Sequence, residues 1–197
     1  MTDTLDHTEL SDINSFVVRE ATVADAEKIV DYLSVILNDP YSSISDPDEM
    51  LLNVHRQREH LRRTESGGRS CSLVAVVGNK IIGFLTMEPG RRRKISHTVE
   101  LGMSVHEDWR GRGVGTALIK SAVDWAERSG EFEKIVLNVF SGNDAAIRLY
   151  QKAGFVIEGR LVRQVSLPDG FEDLVLMSKF LANTPENRYT SNPGCGI

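Results

Sequence analysis

Between residues 15 and 181 the spacing of apolar side chains switches between a period of two and a period of three to four, the signatures of strand and helix. Phe16-Val17-Val18 reads as a short strand. Thr22 is placed to cap a helix carrying Ala26, Ile29, Val30, Leu33 and Leu37, which Asp39-Pro40 stops. Asp46-Pro47 starts a second helix with Met50, Leu51, Val54 and Leu61, ending in Ser66-Gly67-Gly68. Ser70 to Val77 and Ile81 to Glu88 form a hairpin across Gly78-Asn79-Lys80, whose turn residues tolerate positive φ. Beyond a basic tip, Pro89 to Lys94, the stretch Ile95 to Val105 alternates strictly: His97, Val99, Leu101, Met103 and Val105 to one side, Thr98, Glu100, Gly102 and Ser104 to the other. From Val114 the period is helical through Ala117, Leu118, Ala122 and Trp125 until Gly130. Ile135 to Phe140 is an apolar strand interrupted by Asn138, and Asn143 to Ala153 is a short helix stopped by Gly154. Phe155 to Leu167 and Phe171 to Leu181 pair around Pro168-Asp169-Gly170. The order is α/β, with two hairpins and two helix crossovers in one domain over 15–181, between polar, aperiodic tails at 1–14 and 182–197.

Composition narrows the classes. The 197 residues suffice for one domain with a full core, and 41 % hydrophobic with 26 % charged residues is the balance of a globular chain. No apolar run approaches the roughly 18 residues of a membrane span, and the start lacks the basic-then-apolar layout of a signal peptide, so the cytoplasm is the expected location. Twenty-three basic against 28 acidic residues give −5, which argues against a nucleic-acid partner. Cys71 and Cys195 cannot make a disulfide framework or a cysteine-rich metal site, and no metal is expected.

The chemistry concentrates in Arg110-Gly111-Arg112-Gly113-Val114-Gly115-Thr116, where a strand gives way to a helix. Backbone N–H groups at a helix start lack intrahelical partners, and the helix dipole adds partial positive charge there. Glycines let an anion approach, and Arg110 and Arg112 add charge, so the turn suits a pyrophosphate. A P-loop would need a lysine before Thr116. A dinucleotide fingerprint would need a third glycine at Thr116, although Glu131 and Glu133 lie where a ribose-reading carboxylate would.

Arg-x-x-Gly-x-Gly within Val105 to Leu118, followed by Leu137-Asn138-Val139-Phe140-Ser141-Gly142-Asn143-Asp144-Ala145-Ala146-Ile147-Arg148-Leu149-Tyr150-Gln151-Lys152-Ala153-Gly154-Phe155, resembles the GNAT superfamily of acetyl-CoA-dependent N-acetyltransferases. The resemblance covers residues 15 to 181. It implies a mixed, mostly antiparallel sheet of about seven strands with about four helices, an α/β (α+β) fold whose splayed strands form the acetyl-CoA cleft. It further implies that the backbones of Met103 and Val105 pair with the pantetheine arm, that Arg110 to Thr116 hold the pyrophosphate, and that Asn143 and Ala146 flank the arm and thioester. Tyr150, four residues after Ala146 on the same helix face, becomes the general acid for the departing sulfur. The Val105 N–H, freed by a strand bulge, becomes the donor to the developing oxyanion. Glu100 becomes the base, with His97 its rival and water an intermediary for either.

Other readings stand beside these. Asn143 is by type and position an ordinary helix cap. Asn138 is a satisfied edge amide or a pantetheine contact, and Arg91 to Lys94 a solvated tip.

The resemblance implies an acceptor site bounded by Leu33 to Leu61 and by Gly159 to Glu172, with Tyr41, Asp46, Asp48, Glu49, Glu158, Glu172 and Asp173 in or beside its lining. The run Glu158 to Asp173 looks like the branch acting on free amino acids and other small amines, so a small-molecule amine or amino acid is the expected acceptor. A protein N-terminus or lysine, and a non-catalytic acyl-CoA-binding module, are the alternatives. Family members often dimerise through their late strands, which makes a homodimer an expectation.

Overall fold

The computed structural model describes residues 15–39, 42–44, 53–67 and 69–182. Both tails (1–14 and, from 183, the second), Tyr41, Asp46, Asp48, Glu49, Met50, Leu51, Gly68 and Cys195 lie outside the described residues. In chain order the elements are β1 (Val17–Glu20), α1 (Ala26–Ile36), α2 (Val54–Glu65), β2 (Cys71–Val77), β3 (Lys80–Pro89), β4 (Thr98–Val105), α3 (Val114–Ser129), β5 (Lys134–Phe140), α4 (Asp144–Lys152), β6 (Val156–Leu167) and β7 (Gly170–Phe180). The strands form one sheet in the order β1-β2-β3-β4-β5-β7-β6. Every neighbouring pair is antiparallel except β4 with β5. This is the mixed, mostly antiparallel α/β sheet with four helices that the resemblance implies.

The sheet separates two apolar clusters. Val99 and Leu101 of β4 and Ile135, Leu137 and Val139 of β5 pack with Val114, Leu118 and Ala122 of α3 and with Tyr150 of α4. On the opposite face Val74, Ile81 and Phe84 pack with Ile29, Tyr32, Leu33 and Ile36 of α1 and Leu61 of α2. β2 is covered on both faces and reads as a continuous apolar run, with Cys71 to Ala75 buried throughout, whereas β4 is covered fully on one face only and alternates, with Glu100 and Gly102 exposed. Cys71 sits in the first cluster, where burial pushes its thiol up to about 12. An inert, reduced thiol is the result. Among the described residues no helix is long and apolar enough to cross a membrane.

Two local expectations shift, and a third lies partly outside the described residues. The start expected for the second helix, Asp46-Pro47, is outside them; the described helix, α2, begins at Val54, where the Asn53 side chain accepts from the His55 and Arg56 amides at 2.9 and 3.3 Å and caps it. The strand expected from Ile95 begins at Thr98: Arg93–Ile95 is a short 3₁₀ turn, and His97 falls in the turn that follows it. Thr22 precedes a 3₁₀ turn, Val23–Asp25, that leads into α1, and it is the buried Asp25 carboxylate that reaches back to the Thr22 N–H at 2.8 Å.

Candidate active site

β4 and β5 pair only over Thr98–Glu100 against Lys134–Val136. Beyond that point β4 continues beside β3 to Val105 and β5 beside β7 to Phe140, and the two strands no longer pair with each other. In the β3–β4 ladder the His106 N–H donates to Ile82 O at 2.9 Å and the Gly90 N–H to Thr98 O at 3.0 Å. Only alternate residues of an antiparallel pair bond across it, so the even-numbered residues of β4 face β3. Leu101, Met103 and Val105 turn their N–H and C=O groups toward the gap. By the same logic the Ser141 N–H on Asp173 O, at 2.9 Å, leaves Asn138 and Phe140 facing the gap from the β5 side. No bulge frees the Val105 amide, since β4 runs in unbroken register against β3; its N–H is at an open edge because β5 diverges. The Val105 carbonyl accepts from Arg110 Nε at 3.2 Å.

The gap opens into a cleft of about 1080 Å³, whose lining includes Met103, Val105, Arg110, Gly111, Gly113, Gly115, Thr116, Asn138, Asn143, Ala146 and Tyr150. At its head, Gly111 and Gly113 have φ of +73° and +85°, and nothing lies within 4 Å of where a Cβ would stand on either. Gly113 is the N-cap of α3 and has no side chain to satisfy the amides it leads into. The first intrahelical bond is Ala117 N–H to Gly113 O at 3.0 Å, so the amides of Val114, Gly115 and Thr116 point out of the helix start unbonded within it. Gly115 answers a different need: a Cβ there would stand 2.9 Å from Leu149 Cδ2, so it lets α3 pack against α4. The Val114 side chain is buried in the core. The Arg112 guanidinium lies over the Trp109 ring, 5.2 Å from its centroid.

Two bonds brace the entry to α4. Asn143 Oδ1 accepts from the Ala146 N–H at 3.0 Å, the capping arrangement its type suggests. Glu172 Oε1 accepts from Ser141 Oγ at 2.7 Å and from the Gly142 N–H at 2.9 Å. The helix then carries Tyr150, buried with its ring edge against Phe155 at 5.7 Å between centroids. Burial pushes the Tyr150 hydroxyl up to about 12.

The face of the sheet toward α1 forms the other side of the cleft. There the Asn138 amide donates to Glu100 Oε1 at 3.3 Å, and the Tyr32 hydroxyl meets Ser104 Oγ at 3.1 Å. Leu33, Ile36 and Leu37, with Phe84, Phe140 and Leu174, supply hydrocarbon. Leu33, Ile36 and Leu37 fall within the Leu33 to Leu61 boundary that the resemblance implies, whereas sequence reasoning missed Phe84, Phe140 and Leu174 as part of the wall, because each reads equally well as core. It also missed Arg148 and Lys152 on the cleft rim, although their i, i+4 spacing around Tyr150 puts them on one helix face.

Three acidic residues expected around the acceptor are engaged elsewhere and are not among the cleft lining. Glu158 pairs with Lys134 Nζ at 2.7 Å, Glu172 braces the turn before α4, and Asp173 accepts from Arg160 Nε at 2.7 Å and the Arg163 N–H at 2.5 Å. His97 is exposed in its turn and is likewise absent from that lining.

Comparison with known proteins agrees with this architecture. Over 87 residues the chain is 36 % identical to the L-amino acid N-acetyltransferase AaaT of Escherichia coli, a match covering 44 % of this chain and only 54 % of that relative's length. It is 27 % identical over 153 residues to the spermidine N(1)-acetyltransferase of Vibrio cholerae, covering 76 % and 82 % of the two chains. A GNAT-family acetyltransferase structure from Streptococcus pneumoniae superposes with a TM-score of 0.78 at 31 % identity, covering 85 % of this chain and 99 % of that one. A phosphinothricin acetyltransferase from Sinorhizobium meliloti, solved in complex with acetyl-CoA, shares the fold with a TM-score of 0.75 at 20 % identity, over 90 % and 94 %. The model of the acetyltransferase (GNAT) family matches residues 31–155, and the chain belongs to that family of acyltransferases.

Proposed function

We propose that the chain transfers the acetyl group of acetyl-CoA to the nitrogen of a small primary amine by direct attack in a ternary complex. The observation that carries this reading is the parting of β4 and β5 beyond Glu100 and Val136. An extended pantetheine arm would take the place of the missing strand pairing, bonded to the backbones of Met103 and Val105. The open space at Gly111 and Gly113 and the amides of Val114, Gly115 and Thr116 fit a pyrophosphate, with Arg110 and Arg112 adding positive charge. Acetyl-CoA is the ligand of the Sinorhizobium neighbour, and the residues here suit it.

Bound acetyl-CoA supplies an activated acyl carbon; the proton movements fall to the chain. An ammonium cannot attack, so Glu100, held by Asn138, takes its proton directly or through water. The Val105 N–H, at the open strand edge, donates to the acyl oxygen as negative charge gathers there. Tyr150 stays protonated because of its burial and gives its proton to the leaving sulfur. Asn143, by capping α4, keeps Ala146 and Tyr150 in line beside the gap.

The direct test is free-thiol release from acetyl-CoA against a panel of amino acids, amines, polyamines and peptides. Amine-dependent release is expected. Tight acetyl-CoA binding with no amine-dependent release from any panel member would overturn the reading in favour of a binding module.

A further inference from the structure

The two halves of the cleft differ in charge in a way that bears on the acceptor, granted the acetyl-transfer reading above. The half toward α1 is walled by Leu33, Ile36, Leu37, Phe84, Phe140 and Leu174, with one ionisable side chain facing them, Glu100. Its carboxylate is oriented by the Asn138 amide at 3.3 Å. The basic side chains among the described lining residues are Arg110, Arg148 and Lys152. Arg148 and Lys152 stand on α4, on the far side of the sheet from α1. Arg110 is tied through Nε to the Val105 carbonyl at the head of the glycine turn; its charge reaches the Tyr32 hydroxyl of α1, at the end of the cleft away from Glu100, and on the reading above it serves the pyrophosphate.

We infer that this half of the cleft selects an amine with an apolar body and no carboxylate next to the reacting nitrogen, discriminating against free amino acids. Hydrocarbon walls favour an alkyl or aryl group through the area they remove from water. A single oriented carboxylate attracts an ammonium and, where water is scarce, repels a second carboxylate held within a few ångströms of it. An amino acid brings its carboxylate two bonds from the nitrogen and therefore into Glu100's neighbourhood, and no described cation of α1, β5 or β7 lines the cleft to compensate. An amide or a plain amine carries the same nitrogen without that charge.

The test uses the full chain with saturating acetyl-CoA and two matched series, each with a single amine: leucine, leucinamide and isopentylamine; phenylalanine, phenylalaninamide and phenethylamine. kcat/KM is measured by thiol release and corrected to the free-base fraction of each amine, so that differing amine basicity drops out. The amide and the amine are expected to exceed the acid by about tenfold or more in every series. In Glu100→Gln all rates fall, but the amide-to-acid ratio should shrink severalfold, because the repulsion is removed for the acid alone; a general loss of activity leaves that ratio unmoved. Free acids used as well as or better than their amides overturn the inference while leaving acetyl transfer standing. Absence of amine-dependent release from both series overturns both.

Discussion

The Asn138 side chain donates to Glu100 Oε1 at 3.3 Å, spanning two strands whose backbones cease to pair at Glu100 and Val136. Both side chains are exposed and lie on the sheet face toward α1. The bond fixes a carboxylate at an opening that the main chain no longer closes, and it gives Asn138 a task other than contact with a pantetheine arm. Asn138→Ala should lower kcat/KM for the amine about tenfold, near 1.4 kcal/mol, the low end of what a hydrogen bond to a charged group contributes. The Kd for acetyl-CoA, measured by isothermal titration, should not move. A tenfold weaker Kd with kcat unchanged would instead assign Asn138 to the arm.

Tyr150 is the one buried hydroxyl on the stretch of α4 beside the gap. With its hydroxyl pushed up to about 12 by burial, it keeps its proton throughout the neutral range and can act as an acid but not as a base. Tyr150→Phe should therefore reduce kcat about 10²-fold, with little change in acetyl-CoA affinity. The ring's packing on Phe155 survives the substitution, so folding should too. Stopped-flow single turnovers separate the chemical step from release, and an unchanged chemical rate would remove Tyr150 from that role.

How far these groups are legible in the sequence follows from what each depends on. The alternation from Val99 to Val105 places Glu100 correctly because one face of β4 meets a helix layer and the other does not, a difference written into residue type. The glycine turn is equally plain, since φ above +70° at Gly111 and Gly113 and an uncapped helix start require those residues. What stays hidden is pairwise. That Glu172 braces Ser141 and Gly142 across 30 residues, or that Asp173 serves the backbone at Arg163, depends on β5, β6 and β7 lying side by side. From sequence the same carboxylates look like a lining for a cationic substrate. Asn53 is hidden in the same way: beside Asp46-Pro47 it is the weaker start signal by residue type, and its capping of α2 shows only in its bonds to the His55 and Arg56 amides.

Gly113 tests the glycine turn in two ways. Its φ of +85° strains any side chain, although no atom lies within 4 Å of the would-be Cβ. Gly113→Ala should accordingly cost about 1 kcal/mol in denaturant unfolding, from backbone strain without a clash. Gly113→Glu puts a carboxylate into the same space and should weaken acetyl-CoA at least tenfold beyond the alanine variant. Equal affinity in the two variants would show that the pyrophosphate lies elsewhere.

His60 links stability to pH away from the cleft. Its Nε2 lies 3.1 Å from the Oγ of buried Ser72 and 3.7 Å from Glu88 Oε1, and its side chain is mostly buried. Burial lowers its pKa below the ordinary 6.5; Glu88 opposes that shift and Arg63 adds to it. A base with a depressed pKa binds its proton more readily when unfolded, so between the two values the unfolded state takes up more protons and stability rises with pH. The contribution is complete above about pH 6.5 and is lost as pH falls through the folded value. Asp25, held well below the usual carboxylate range by the Arg19 guanidinium, loses its contribution only below about pH 4, so the two windows are separate. Thermal unfolding should show Tm falling between pH 7.5 and 5.5 in the native chain. His60→Gln, which keeps a hydrogen-bonding group near Ser72 but cannot gain charge, should flatten that slope; an identical slope in the variant would place the titrating group elsewhere.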